Sequence, residues 1–128
     1  MKKTYSGSCH CGAVRFEADL DLAQGTFRCN CSICFKTRAW LAGAKASDLR
    51  LLAGKQSLGD YQFGKRRLHH RFCKTCGVRP FSQSGDQVAV RVTCLDGVDP
   101  YELINAPVRY FNMLHDDMKS PPAGTRHL

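Results

Sequence analysis

Seven of the eight cysteines fall into three short groups, each spaced as metal ligands are spaced. The sharpest is Cys73-Lys74-Thr75-Cys76-Gly77. Two thiols separated by two residues can turn toward one ion, and the following glycine lets the backbone bend and aim N–H groups at the sulfurs. Such a knuckle supplies half of a tetrahedral site. Cys9-His10-Cys11-Gly12 is its natural partner, because it too ends in glycine. Side chains alternate along an extended Cys-x-Cys segment, so both thiols reach one ion only if the chain turns there. A redox Cys-x-x-Cys would need a βαβ setting, which this sequence lacks. The expectation is a closed Cys9/Cys11/Cys73/Cys76 zinc site whose binding energy is folding energy.

The run Cys29-Asn30-Cys31-Ser32-Ile33-Cys34 puts three thiols within six residues and supplies no fourth ligand locally. Structural zinc sites are closed, whereas catalytic ones hold three protein ligands and an open position for water or substrate. The alternative is closure by a remote group, for which Cys94, His69, His70 and His115 are the candidates. Cys94 sits in the apolar run Val88–Leu95 and reads as a buried thiol. An iron–sulfur cluster fits less well, since the spacing is not that of the common ferredoxin motifs.

The elements that must position these groups read as short strands broken by turn residues: Ala13–Ala18, Gly25–Cys29, Leu49–Ala53, Leu58–Phe63, Leu68–Cys73, Val88–Thr93 and Val108–Asn112. Leu49–Ala53 and Leu58–Phe63 are expected to pair, with Gly54 as a turn residue between them. Helix is scarce: one or two turns over Ser32–Arg38, and another over Asp99–Ile104 with Pro100 near its start. The fold class is therefore mostly β, a single zinc-binding domain over residues 1–128 with little helix. The tail 119–128, with Pro121, Pro122 and Gly124, is expected to be extended and mobile.

Length suits one domain, which at 128 residues buries enough surface to fold without staples. Eight cysteines with no apolar leader and no membrane-length apolar run point to the cytoplasm and to metal rather than disulfides. The formal charge of +8 counts every thiol as neutral. Seven thiolates balanced by two Zn²⁺ lower it to about +5. That excess suits an anionic small molecule as well as it suits a polynucleotide.

The groups Ser8-Cys9-His10-Cys11-Gly12, Cys29 to Cys34, Phe72-Cys73-Lys74-Thr75-Cys76-Gly77 and Leu95-Asp96-Gly97, in that order, resemble the glutathione-dependent formaldehyde-activating enzyme family, which includes centromere protein V. The likeness runs from Ser6 to about Asp117 and is to the small bacterial relatives, since the ending Arg109 to Asp117 differs from that of the members that gave the family its name. It implies a β-tent fold with two zinc ions, a structural one on Cys9, Cys11, Cys73 and Cys76 and a catalytic one on Cys29, Cys31 and Cys34. It implies a carbon–sulfur lyase that adds glutathione to a small aldehyde such as formaldehyde, or reverses that addition.

The run Lys65-Arg66-Arg67, with Arg71, Lys74 and Arg79, offers cations for the two carboxylates of glutathione, although a solvated face is the commoner role for such a run. Phe35 and Trp40 could wall a pocket or belong to the core. The alternative function is a non-catalytic zinc module that binds glutathione or nucleic acid. Nucleic acid is disfavoured, because there is no long basic tail and no basic stretch interleaved with aromatics.

Overall fold

The computed structural model describes residues 1–128. Eleven strands and two short helices follow in the order β1 (Lys3–Ser8), β2 (Arg15–Leu20), β3 (Thr26–Cys29), α1 (Ser32–Thr37), β4 (Leu41–Lys45), β5 (Leu49–Ala53), β6 (Leu58–Tyr61), β7 (His69–Cys73), β8 (Phe81–Ser84), β9 (Gln87–Arg91), β10 (Leu95–Asp96), α2 (Pro100–Asn105) and β11 (Val108–Phe111). The chain is mostly β, as its composition and turn spacing lead one to expect.

Two sheets share the work. One has four strands in the order β10-β1-β2-β5, and the other has seven in the order β11-β3-β4-β9-β8-β7-β6. All neighbours are antiparallel except β11 and β3, which run parallel with Val108 opposite Thr26 and Phe111 opposite Cys29. The principal core lies where the two sheets face each other. Phe16, Ala18 and Leu20 from β2 meet Ala42 of β4 and Val88 and Val90 of β9, with Val92 and Cys94 continuing the layer beyond β9. The alternation of β2, exposed Arg15 then buried Phe16, Ala18 and Leu20, is the period-two pattern of a strand with one buried face. A second, smaller core gathers Cys9, Val14 and Cys73 with Leu58 and Val78.

Seven of the eleven strands were legible in the sequence, but the pairing expected for two of them was not observed. β5 and β6 do not form a hairpin: β5 pairs with β2 in the smaller sheet, and β6 pairs with β7 in the larger one. The reason lies at Gly54, whose φ of +90° starts a 3₁₀ turn over Lys55–Ser57. A Cβ at Gly54 would run into the backbone of Ala13 and Val14, so the chain passes flush against the first cysteine loop as it crosses between sheets. The strands β1, β4, β8 and β10 carry weaker apolar patterns and emerge only from their pairing. In two places a strand glycine lies opposite a phenylalanine that covers it: Gly7 opposite Phe16, and Gly59 opposite Phe72. The ring occupies the space a Cβ would need, which restores the packing that glycine forgoes. The tail 119–128 carries no strand or helix, and its His127 ring lies 5.6 Å from that of Phe35 on α1.

Candidate metal centres

The first thiol group is built from two matching loops. In each, a cysteine N–H donates to the carbonyl of a valine five residues on: Cys9 to Val14 at 3.1 Å and Cys73 to Val78 at 2.9 Å. Each loop passes through a left-handed glycine, Gly12 at φ +81° and Gly77 at φ +78°. Each also turns backbone N–H groups onto sulfur, with Val14 N donating to Cys9 Sγ at 3.3 Å and Thr75 N to Cys73 Sγ at 3.4 Å. The Cys9–Cys11 and Cys11–Cys73 sulfurs are both 3.7 Å apart. A tetrahedral zinc with Zn–S of about 2.3 Å has sulfurs about 3.8 Å apart, so the four donors fit that ion. The protonation states say the same. N–H groups of Val78 and Cys11 hold Cys76 down to about 6. At Cys11 the Ala13 N–H favours the thiolate, but burial and the Cys9, Cys73 and Cys76 thiols outweigh it and push the group up to about 11. Sulfurs this close cannot all ionise unless a cation lies among them.

Cys29, Cys31 and Cys34 bring their sulfurs within 4.8 Å of one another, and no other Cys, His, Asp or Glu ligand atom joins them. Cys29 closes β3, Cys31 is the N-cap of α1, and Cys34 lies one turn inside it. The loop between them is tied to the chain beyond β11. Asn30 Nδ2 donates to Asn112 Oδ1 at 2.7 Å, and its Oδ1 accepts from Leu114 N at 2.9 Å. Asn30 N donates to Phe111 O at 3.2 Å. At the other end of α1, the Arg91 guanidinium donates to Thr37 O at 3.1 Å and Thr37 Oγ1 at 3.3 Å, a cation at a helix C-terminus. Sequence reasoning missed Asn30, Asn112 and Arg91; an amide placed between two ligands was the available signal for the first. Without a metal, Cys29 falls far below the usual thiol range, because the Cys31 and Cys34 thiols hydrogen-bond to it and the Cys31 and Met113 N–H groups face its sulfur. Contact with Cys29 pushes Cys31 and Cys34 upward in turn.

These three thiols sit on the wall of a cavity of about 350 Å³. Its lining is largely apolar, and Arg71, Arg79, Arg91 and His70 supply its polar character. Of the remote residues weighed as a fourth ligand, Cys94 is buried and donates to Arg79 O at 3.7 Å, and His69 Nδ1 lies 2.7 Å from Asp60. His115 is exposed in the turn Met113–His115, and His70 lines the cavity without joining the thiols. The basic run divides: Lys65, Arg66 and Arg67 are exposed in the loop before β7 and do not line the cavity, whereas Arg71 and Arg79 do. Lys74 Nζ donates outward to Gln56 O. Trp40 belongs to the core, its Nε1 donating to the buried Thr26 hydroxyl at 2.7 Å, and Phe35 is half-exposed on the outer side of α1.

No helix of the chain is long and apolar enough to cross a membrane. Residues 4–111 match the family model described as glutathione-dependent formaldehyde-activating enzyme. Among solved structures, the chain is similar to a Rhodobacter sphaeroides protein determined as a structural genomics target, at 40% identity and a TM-score of 0.72, over 81% of this chain and 99% of that one. With both cysteine groups and the matched span in hand, the chain belongs to the glutathione-dependent formaldehyde-activating enzyme family.

Proposed function

We propose that this protein is a zinc-dependent carbon–sulfur lyase that joins glutathione, or a thiol like it, to a small aldehyde such as formaldehyde, and accelerates the reverse cleavage equally. One observation carries the reading: three converging thiols on a cavity wall, with no fourth side-chain ligand beside them. Three protein ligands and one free position are the arrangement of catalytic zinc, and four of structural zinc. On this reading two ions bind per chain, a structural one on Cys9, Cys11, Cys73 and Cys76 and a catalytic one on Cys29, Cys31 and Cys34. Zinc at the second group would supply the positive charge that lets an incoming thiol ionise at neutral pH, where a free thiol with a pKa of about 8.5 is mostly protonated.

The chain's own residues supply the rest. The Asn30 contacts and the Arg91–Thr37 contacts hold both ends of the ligand segment, so the three sulfurs keep one geometry. The apolar walls exclude water, which strengthens the field of Arg71, Arg79 and Arg91 at the reacting atoms. A thiolate held beside an aldehyde gains the advantage of proximity. The sulfur forms a bond to the carbonyl carbon, the C=O π electrons pass to oxygen, and that oxygen takes up the proton the thiol released. The reduced thiols this requires suit a cytoplasmic setting.

The test is cobalt substitution, because cobalt–thiolate absorption reports the number of sulfurs bound. Glutathione should change the spectrum of the Cys29/Cys31/Cys34 site from three sulfurs to four, and S-methylglutathione should leave it unchanged. A spectrum already showing four sulfurs at that site before thiol is added would replace the enzyme reading with a structural one.

A further inference from the structure

The cavity beside Cys29, Cys31 and Cys34 is only partly built by the span that the family model matches. That span ends at Phe111. Residues 112–128 lie beyond it, yet Met113 and Met118 both line the cavity.

The added segment is held at three points. At its root, Asn112 Oδ1 accepts from Asn30 Nδ2 at 2.7 Å and Leu114 N donates to Asn30 Oδ1 at 2.9 Å, so the ligand loop and the segment fix each other. In its middle, Asp117 N donates to Asn112 O at 3.0 Å, which closes a tight loop through the left-handed Asp116. Asp117 Oδ1 also accepts from Lys119 N at 2.8 Å and Ser120 N at 3.0 Å, on the far side of Met118. At its end, the His127 ring meets Phe35 on the outer side of α1, with centroids 5.6 Å apart. The segment leaves β11 next to the thiols and returns to the helix that carries Cys34.

The two methionines stand at different depths. Met113 is half-buried, and its N–H faces the Cys29 sulfur. Met118 lines the same cavity but is 58% exposed, so its side chain borders both the interior and solvent. That is the position of a residue at the mouth. A molecule whose reacting end lies at the thiols and whose body runs outward along the apolar wall reaches Met118 last.

We propose that Met118, carried on a segment outside the family-matched span, is the specificity-determining residue of the cavity: it limits the length of the carbonyl partner and so restricts the substrates to short, unbranched aldehydes. The inference rests on the thiol-addition reading above and names what sets its aldehyde range. Each further CH₂ of an aldehyde gains from the apolar wall until the chain meets the Met118 thioether. Beyond that point it must displace the side chain or project into water.

The experiment uses the zinc-loaded full chain and an inert series, the n-alkanols from methanol to octanol, whose binding is followed by protein NMR shifts at the cavity. Affinity should rise about fourfold per added carbon and then level off. Met118→Ala should move the levelling point at least one carbon longer, and Met118→Trp at least one carbon shorter. With glutathione as the thiol, the ratio of kcat/KM for pentanal to that for formaldehyde should rise about tenfold in Met118→Ala and fall about tenfold in Met118→Trp. No alkanol binding, one levelling point shared by all three proteins, or an unmoved kinetic ratio would overturn the proposal. If cobalt-loaded protein acquires a glutathione sulfur while the levelling point stays fixed, the thiol chemistry stands and Met118 selects nothing. If the levelling point moves as expected but no thiol sulfur is acquired, Met118 is confirmed as the limiting wall and the thiol chemistry falls.

Discussion

Cys76 and Cys34 each belong to a thiol group, yet what surrounds them differs. Cys76 is partly buried against the small core of Cys9, Val14 and Cys73, and its loop closes through Cys73 and Val78. Removing it leaves a partly buried ligand set one short in the region that joins residue 9 to residue 73. Cys34 lies on a two-turn helix at a cavity wall, where α1 buries no residue fully. Cys76→Ser should therefore lower stability by several kcal/mol or abolish soluble expression, because structural zinc binding is coupled to folding. Cys34→Ser should give a folded protein with about one zinc that no longer acquires a glutathione sulfur. Thermal unfolding and metal content of the two variants decide the matter; equal, mild losses would break the division between the groups. The spacing that marks both groups is local, since ligands two or three residues apart need only one turn of backbone. For that reason it was readable before any fold was known. His70 and Arg79, whose Nε2 and Nη1 are buried without a hydrogen-bond partner, were weighed from the sequence only as a possible ligand and as part of a basic run, because nothing local marks a side chain whose partner is missing.

At the scale of the elements, glycines decide how strands meet. Gly54 and Gly85 are both left-handed, at φ +90° and +58°. Only Gly54 faces neighbouring backbone; the position beside Gly85 is open. Gly85→Ala should cost about 1 kcal/mol of left-handed strain. Gly54→Ala should cost clearly more, since the backbone at Ala13 must also move. Denaturant midpoints at unchanged slope measure the difference, and equal costs would mean that the Gly54 contact is slack. A second element-level link joins β1 to α2. Tyr5 donates to Glu102 Oε1 at 2.9 Å, and Lys3 Nζ reaches the same oxygen at 2.8 Å. Burial, with the Glu102 hydrogen bond and charge, pushes the Tyr5 phenol up to about 12. The raised value favours the protonated form in the folded state. This contribution is complete below the ordinary tyrosine value near 10 and is lost as pH rises from there toward 12. A phenolate absorbance titration should show one tyrosine ionising late, and Tyr5→Phe should remove it.

For the whole molecule, the two thiol groups are held by different means. The four-thiol group links two loops more than sixty residues apart in sequence, Cys11 to Cys73 (roughly the span over which closing a loop is costly). The three-thiol group is contained in one segment, braced from outside by Asn112 and Arg91. Under mild chelation the three-thiol metal should leave first with the fold intact, and the second should leave only with unfolding. Native mass spectrometry beside circular dichroism would follow the two steps. A single concerted loss would contradict it.

What the amino-acid sequence determined by itself were the features that local chemistry dictates. They include the ligating turns, the predominance of strand, the buried nature of Cys94, the short helix α1 and the placing of α2 by the proline near its start. What only the tertiary structure decided were relations between distant segments. The parallel pairing of β11 with β3 brings Asn112 to Asn30 and Met113 to Cys29, and no periodicity in either segment announces it. The passage of β5 and β6 into different sheets depends on a close approach at Gly54 that exists only once the first cysteine loop is in place. The cavity is the clearest case. Its walls come from β3, α1, β4, β7, β8, β9, β11 and the segment after β11, so its volume belongs to no single stretch of chain, and neither do the unpartnered nitrogens His70 Nε2 and Arg79 Nη1. Hydrogen-bond satisfaction and cavity volume are properties of packing, and packing is settled only when all the neighbours have arrived.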